Sequence, residues 1–316
     1  MYHNNTAAPS AVNQTWVGRW KTDFKKNGGL YLLASGVILF YILFHYKPMY
    51  GIIIAFKDFA PSKGVMGSRW VGLSHFIDFF NNPYFGRLLK NTLNISISSL
   101  VFVFPMPIIL ALLMNELRGK VFPRTVQLIV YLPHFISLIV VCGIITKFTA
   151  DRGIINDITA FFGAERISYL NYPKFFVPVY LISDIWQNMG WDSIIYLAAL
   201  TSVNPELYEA AIIDGAGRWK QTLHVSIPAI LPTILVMLLL RIGSLFSIGY
   251  EKIILLYNPI TYETADVIST YVYRKGLLEY NWSFSTAVGL FNSVINVTLL
   301  VFANKASNKI SGSGLW

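Results

Sequence analysis

The chain has 316 residues, 54% hydrophobic and 13% charged, with a mean hydropathy of +0.52. A soluble domain carries about 25% charged residues, so lipid is the expected solvent. The formal net charge is +9, but no basic block or aromatic-interleaved patch points to nucleic acid, and basic residues at membrane ends account for the excess.

The first 27 residues are polar, with Arg19, Lys21, Lys25 and Lys26 near their end. The apolar run behind them is longer than a signal-peptide core and has no small-residue cleavage site soon after it, so it reads as a retained first span. Residues 1–28 are expected to form a cytoplasmic segment and 29–316 a transmembrane domain. A helix needs about 20 mostly apolar residues to cross the hydrocarbon core. Six segments qualify: 29–50, 91–114, 126–148, 175–200, 229–250 and 284–304. The predicted fold class is therefore all-α, with six transmembrane helices. A membrane β-barrel needs short alternating segments, and runs such as Leu30–Phe44 and Ile234–Leu240 do not alternate. Cys142 is the single cysteine. It excludes an intrachain disulfide, and no Cys/His metal spacing exists.

Six spans place both termini on one side. That side is taken as cytoplasmic. The short loop 115–125, with Arg118, Lys120 and Arg124 against Glu116, is the best single support from the positive-inside rule, while the outer loops also carry Lys and Arg but are longer and count less. Tyr131 and Pro105, Pro107 and Pro133 are expected to shape kinks and packing. His45 and His134 have no partner at ligand spacing and read as satisfied helix histidines. Glu251 and Lys252 read as a rim salt bridge.

Polar groups inside a span are costly and mark function by default. Asp184, Asn188, Trp191 and Asp192 share one broad face of the fourth span, at spacings of four, three and one. Arg241, Ser244, Leu245 and Ile248 share a face of the fifth. Two readings of Arg241 stand. One is a structural ion pair with Asp184 or Asp192. The other is a site for a substrate carboxylate, which guanidinium grips in bidentate fashion.

Between these spans lies a polar loop, about 201–228. Asn204 can cap a helix and Pro205 suits its first turn. Glu206 and Glu209 favour the positive end of the helix dipole, and Gly215 is a left-handed stop. A helix of about ten residues is too short to be stable alone in water, so it must pack on something. Leu207, Ala210, Ala211 and Asp214 follow helical spacing and leave one side small and shallow. A helix lying on the membrane surface is the alternative, and the acidic start and few bulky apolar residues argue against it.

The segment Glu209-Ala210-Ala211-Ile212-Ile213-Asp214-Gly215, followed by Val225-Ser226-Ile227-Pro228, resembles the cytoplasmic coupling motif of ABC importer permeases. Val225 and Ile227 are conservative departures. Trp70-Val71-Gly72-Leu73-Ser74-His75-Phe76, then Asn91-Thr92 at the expected start of the second span, resemble the carbohydrate branch. So do Tyr131-Leu132-Pro133, Leu255-Leu256-Tyr257-Asn258-Pro259, Ala265–Arg274 and Ser285–Phe291. Nearly the whole chain is similar to MalF-like type I permeases, and within them to LplB-type subunits of oligosaccharide importers. The resemblance implies a second homologous permease subunit, two copies of a cytoplasmic ABC ATPase, an extracellular sugar-binding lipoprotein and an oligosaccharide substrate, in the bacterial plasma membrane. ATP and Mg belong to the partner ATPase, and no cofactor is expected in this chain, which lacks a phosphate-binding Gly-x-x-x-x-Gly-Lys-Ser/Thr loop. By the same resemblance Glu209, Ala210, Ala211, Asp214 and Gly215 couple to the ATPase. Asn188, Trp191, Arg241 and Ser244 become the analogues of sugar-contacting positions. The rivals are a permease for amino acids or another small solute, a stand-alone channel, and a membrane-embedded enzyme. The last would need a motif such as HExxH, GxSxG or CxxC, and none appears.

Overall fold

The computed structural model describes residues 16–117, 119, 121–312 and 314–316. Arg118 and Lys120, on which the charge-based orientation leaned, lie outside the described residues, as do residues 1–15 of the expected N-terminal segment. The chain divides into two compact units, Met1–Ile53 and Ile54–Trp316.

In the first unit, α1 (Trp16–Tyr41) breaks locally at Asn27, whose φ of −114° and ψ of 22° are not helical. Asn27 and Tyr31 both donate to the Asp23 carboxylate across this break. The helix runs on through a π-turn at Ile42–Tyr46. Leu30, Leu32, Leu33, Val37 and Ile38 are all exposed. A helix that is apolar all round belongs in lipid or in the core of an assembly.

The second unit opens with a two-stranded antiparallel pair, β1 (Lys57–Asp58) and β2 (Arg69–Trp70). Then come α2 (Ser74–Phe80), α3 (Phe85–Ser98), a π-turn at Ser99–Val103, and α4 (Pro105–Asn115). Next are α5 (Val121–Tyr131), α6 (Leu138–Phe148), α7 (Ile154–Phe161) and α8 (Pro173–Thr201). The loop helix α9 (Pro205–Ile213) leads to α10 (Arg218–Gln221) and α11 (Ile227–Gly243). Finally come α12 (Tyr250–Leu256), α13 (Ile268–Tyr273) and α14 (Trp282–Ser311).

Three buried clusters hold the unit together. Ile95, Val141, Phe176, Tyr180, Ile253 and Val267 join α3, α6, α8 and α12. Phe79, Leu88, Phe246, Ile268, Phe284 and Val288 join α2, α3, α13 and α14. Ala111, Tyr196, Leu200 and Ile230 join α4, α8 and α11. Helix α8 crosses the end of α5 at Gly190, where a Cβ would fall 2.0 Å from the Val130 carbonyl oxygen. No larger residue fits there.

Among the described residues, four helical stretches are long and apolar enough to cross a membrane: Asp23–Phe56, Phe85–Asn115, Arg218–Gly243 and Trp282–Lys309. The bent pair Val121–Phe135 and Leu138–Phe148 makes a fifth if counted as one span. Helix α8 has 29 residues, about 43 Å at 1.5 Å per residue. Length suits a crossing, but Asp184, Gln187, Asn188 and Asp192 lower its hydropathy.

Three expectations about the spans are corrected. The third is not one helix. It breaks by 99°, where Pro133 lies in a 3-10 turn and Ile136 and Ser137 are extended (ψ 134° and 144°). Pro133 has no N–H to bond the preceding helical turn, which weakens the helix at this point. The fifth ends at Gly243 rather than at 250. The irregular backbone beyond it is satisfied by neighbouring side chains. Asn296 accepts from the Phe246 N–H (2.9 Å), Ser96 donates to the Leu245 carbonyl, and Ser269 donates to the Ile248 carbonyl (3.1 Å). Non-helical backbone at membrane depth needs such partners. Lastly, Asn91 and Thr92 do not open the second span, which starts at Phe85. They are buried within it. Asn91 donates to the carbonyls of Glu263 (2.9 Å) and Asp266 (3.0 Å), and Thr92 accepts from the Ile268 N–H (3.1 Å).

Candidate functional site

The polar face of α8 meets the end of α11, the bend after α5, and α12. Together they wall a cavity of about 540 Å³, lined among others by Ser99, His134, Asp184, Asn188, Arg241 and Lys252. A second cavity of about 640 Å³ shares Asp192, Arg241 and Ser244 with it and continues along an apolar wall that includes Phe104, Trp191, Ile195 and Tyr196. The result is a groove with a polar half and an apolar half. Arg241 stands at the junction.

Asp184 organises the polar half. Lys252 Nζ lies 3.4 Å from its Oδ1 and Arg241 Nη2 lies 3.9 Å from its Oδ2. Asn188 Nδ2 donates to Oδ1 at 2.9 Å. Arg241 Nη2 also donates to Ser99 Oγ at 2.7 Å. Lys252 is therefore no rim residue. Its side chain is 6% exposed and its partner is Asp184, not Glu251. The reason is the break after Gly243, which turns α12 inward where a straight span would have carried Lys252 to the rim. The Arg241 side chain is 42% exposed against 14% for Asp184. Its guanidinium thus both touches a carboxylate and faces the cavity. Asp192 forms no ion pair among the described residues.

His134 sits on the broken third span, where Pro133 starts the turn. Its ring stacks parallel on Trp191, with centroids 4.6 Å apart and planes 2° apart. Phe135 meets the same indole edge-on at 5.5 Å. His134 Nδ1 is 3.2 Å from Asn188 Oδ1, which requires the Nδ1–H tautomer as donor. Trp191 remains 43% exposed. Ser244 Oγ is turned back on its own helix, donating to the carbonyls of Arg241 (3.1 Å) and Leu240 (3.3 Å). Of the residues predicted from sequence, Asp184, Asn188, Asp192, Arg241 and Ser244 line the polar half, and Trp191 lines the apolar half. Sequence reasoning missed His134, Ser99 and Lys252. The adjacent Pro133 was the available signal for His134, but no linear spacing ties residue 134 to residue 188.

The loop helix α9 lies at the C-terminal end of α8. Asn204 caps it by accepting from the Glu206 N–H at 3.1 Å. Gly215 ends it at a φ of +73°, the left-handed region that favours glycine. Leu207, Glu209, Ala210, Ile212, Ile213, Asp214 and Gly215 are exposed and Ala211 is half-buried. Two ties run back to the helical body: Tyr208 Oη to Ser226 Oγ at 2.9 Å, and Arg218 Nη1 to Glu116 Oε2 at 3.5 Å.

On the side of the groove where α12 and α13 lie, Asp266 is fully buried. Arg274 grips it with two bonds (2.6 and 2.8 Å), and Arg87 stands 3.7 Å away. Burial opposes the charge on Arg274. The bonds to Asp266 outweigh that, and its pKa stands above the ordinary arginine value.

Comparison with known proteins fits this geometry. Residues 103–311 match the family described as binding-protein-dependent transport system inner membrane component. The chain is 44% identical to Protein LplB of Bacillus subtilis (strain 168) over 298 residues, 94% of each chain. It is also 44% identical to the polygalacturonan/rhamnogalacturonan transport system permease protein YteP of the same organism, over 91% of this chain and 90% of that one. A solved structure, that of a bacterial alginate ABC transporter in complex with an alginate pentasaccharide-bound periplasmic protein, superposes with a TM-score of 0.86. It shares 44% identity and covers 94% of this chain and 100% of its own. The chain therefore belongs to the inner membrane permease family of binding-protein-dependent ABC importers.

Proposed function

We propose that this permease passes oligosaccharides, uronate-containing ones among them, through the groove between α8 and α11 by alternating access. The observation that carries the reading is the half-exposed Arg241 guanidinium at the junction of the two cavities. Asp184 already has Lys252 at 3.4 Å and Asn188 at 2.9 Å. The longer 3.9 Å contact leaves Arg241 open to an incoming carboxylate. The groove is not simply cationic, since Asp184, Asp192 and Glu251 also line it. Selection by Arg241 thus rests on a local fork rather than on net attraction. The exposed part of Trp191 offers a flat apolar surface to a sugar ring, and His134 stiffens it from the stacked side. Relatives whose names specify polygalacturonan, rhamnogalacturonan and alginate support the acidic substrate class.

In this reading all six spans cross the membrane, α8 as the fourth, and both termini are cytoplasmic. The exposed α9 docks into a separate ATPase that binds ATP and Mg, two copies serving this chain and a homologous permease, while an extracellular lipoprotein delivers the sugar. Ties from Tyr208 and Arg218 to the helical body would carry motion of α9 into α11 and the end of α4. The test is uptake in proteoliposomes holding the full complex. Arg241→Gln is expected to lower transport of uronate oligosaccharides at least tenfold and to spare neutral ones. Equal loss for both classes would make Arg241 structural.

A further inference from the structure

A different part of the second unit carries an apolar face that the transport reading does not use. Helix α7 and the residue after it present Ile154, Ile155, Ile158, Phe161 and Phe162, at spacings of one, four, seven and eight from the first. These positions share one face of a helix. All five are exposed, Phe161 by 85% and Phe162 by 81%. This is not a loosely attached segment. Asn156 is fully buried and ties the helix down, donating to the carbonyls of Ala150 (2.6 Å) and Ile167 (2.7 Å) and accepting from the Ile167 N–H (3.1 Å). The turn from α6 is so tight that a Cβ on Gly153 would lie 2.3 Å from the Phe148 carbonyl oxygen. Asp157 pairs with Arg166 at 2.7 Å beyond the apolar stripe. The stripe is thus held outward by the fold.

Its surroundings indicate what covers it. An apolar cavity of about 260 Å³ joins Ile155 to Phe148 and Ile144 of α6 and to Val179, Ile182 and Trp186 of α8. Phe148, Ile182 and Trp186 are themselves exposed on helices read as spans, so the stripe continues a lipid-facing wall. Exposed Lys147 and Arg152 bracket Phe148 and the turn. Cations at this level suit phosphate headgroups, their stems lying along apolar surface. An amphipathic helix with this pattern lies in the interface plane with its apolar face in the acyl boundary.

We propose that α7 is an interfacial helix that seats in the phospholipid leaflet at the N-terminal end of α8, opposite α9, with an acyl chain in the adjoining cavity. In the orientation proposed above this is the outer leaflet. The proposal itself does not depend on the substrate.

The test uses the full complex in phospholipid nanodiscs, with Cys142→Ala and a nitroxide at residue 157, 158 or 161 in turn. At 158 and 161 the label should collide with oxygen at least threefold more than with a nickel chelate, relative to 157, where the order reverses. Preference for the nickel chelate at all three would mean water and overturn the proposal. Shielding of 158 and 161 from both reagents would mean a protein partner, the binding protein if shielding appears only on its addition, and would overturn it equally. Phe161→Trp provides a gentler second reading. Its added fluorescence should be quenched by tail-brominated phospholipid, and lack of quenching would contradict the lipid seat.

Discussion

At the residue scale, Lys252 and Arg241 share one carboxylate but are not equivalent. Lys252 is buried and holds Asp184, whereas Arg241 is half in the cavity. Removing one partner of a buried pair costs about 3–5 kcal/mol, so Lys252→Met is expected to lower the melting temperature of the complex and draw Arg241 onto Asp184. Uptake of acidic sugar then falls although Arg241 is intact. The paired change Asp184→Asn/Lys252→Met removes both charges and should recover most of the melting temperature and the acidic-sugar uptake. Failure to recover either would mean that Asp184 has a role beyond holding charge. His134→Ala removes the ring stacked on Trp191. Such contacts contribute about 0.5–1.5 kcal/mol, so half-saturation for neutral and acidic sugars alike should rise roughly two- to tenfold. A change confined to acidic sugars would contradict the role of this pair as a ring platform. The α8 half of the site was legible in sequence because Asp184, Asn188 and Asp192 interrupt an apolar run at helical spacing. His134 and Lys252 were not, since each reaches the site through a helix break whose angle no periodicity records.

At the element scale, α9 follows its sequence signals closely. The Asn204 cap, Pro205 in the first turn and Gly215 in the left-handed region all appear where the residue types require them. Gly215→Val forces a branched side chain into positive φ, and Glu209→Lys reverses charge on the exposed face. Both variants are expected to insert and assemble with binding-protein-stimulated uptake reduced at least tenfold. Uptake at the unaltered level in either would separate α9 from coupling. The broken helices are the opposite case. An apolar run across Pro133 reads as one span, yet the backbone turns by 99° there, and the run through Gly243 ends early because Asn296, Ser96 and Ser269 offer its backbone other partners. These are tertiary hydrogen bonds between residues 21 to 149 positions apart, and composition cannot foretell them. The Asp266 strap is another. Asp266→Asn leaves Arg274 and Arg87 facing no carboxylate, and an expected loss of about 3–5 kcal/mol should appear as a lower melting temperature. An unchanged melting curve would contradict that role.

At the scale of the whole molecule, the part of α1 beyond Asn27, apolar all round, and the long apolar helices of the second unit make lipid the main solvent, as the low charge content implied. Among the described residues, helix length and hydropathy pick out four or five spans, and α8 is left out because its polar residues dilute its hydropathy. The feature that hides α8 from a hydropathy count is thus the feature that makes it the candidate pathway. The most direct test of the central claim is ATPase stimulation of the reconstituted complex with its binding protein, compared between uronate-containing and neutral oligosaccharides, with and without Arg241→Gln. Stimulation by acidic oligosaccharides that disappears in the variant while the complex remains assembled is the predicted result. Stimulation by neutral oligosaccharides alone, or an unchanged acidic response in Arg241→Gln, would contradict the assignment of Arg241 to the substrate pathway.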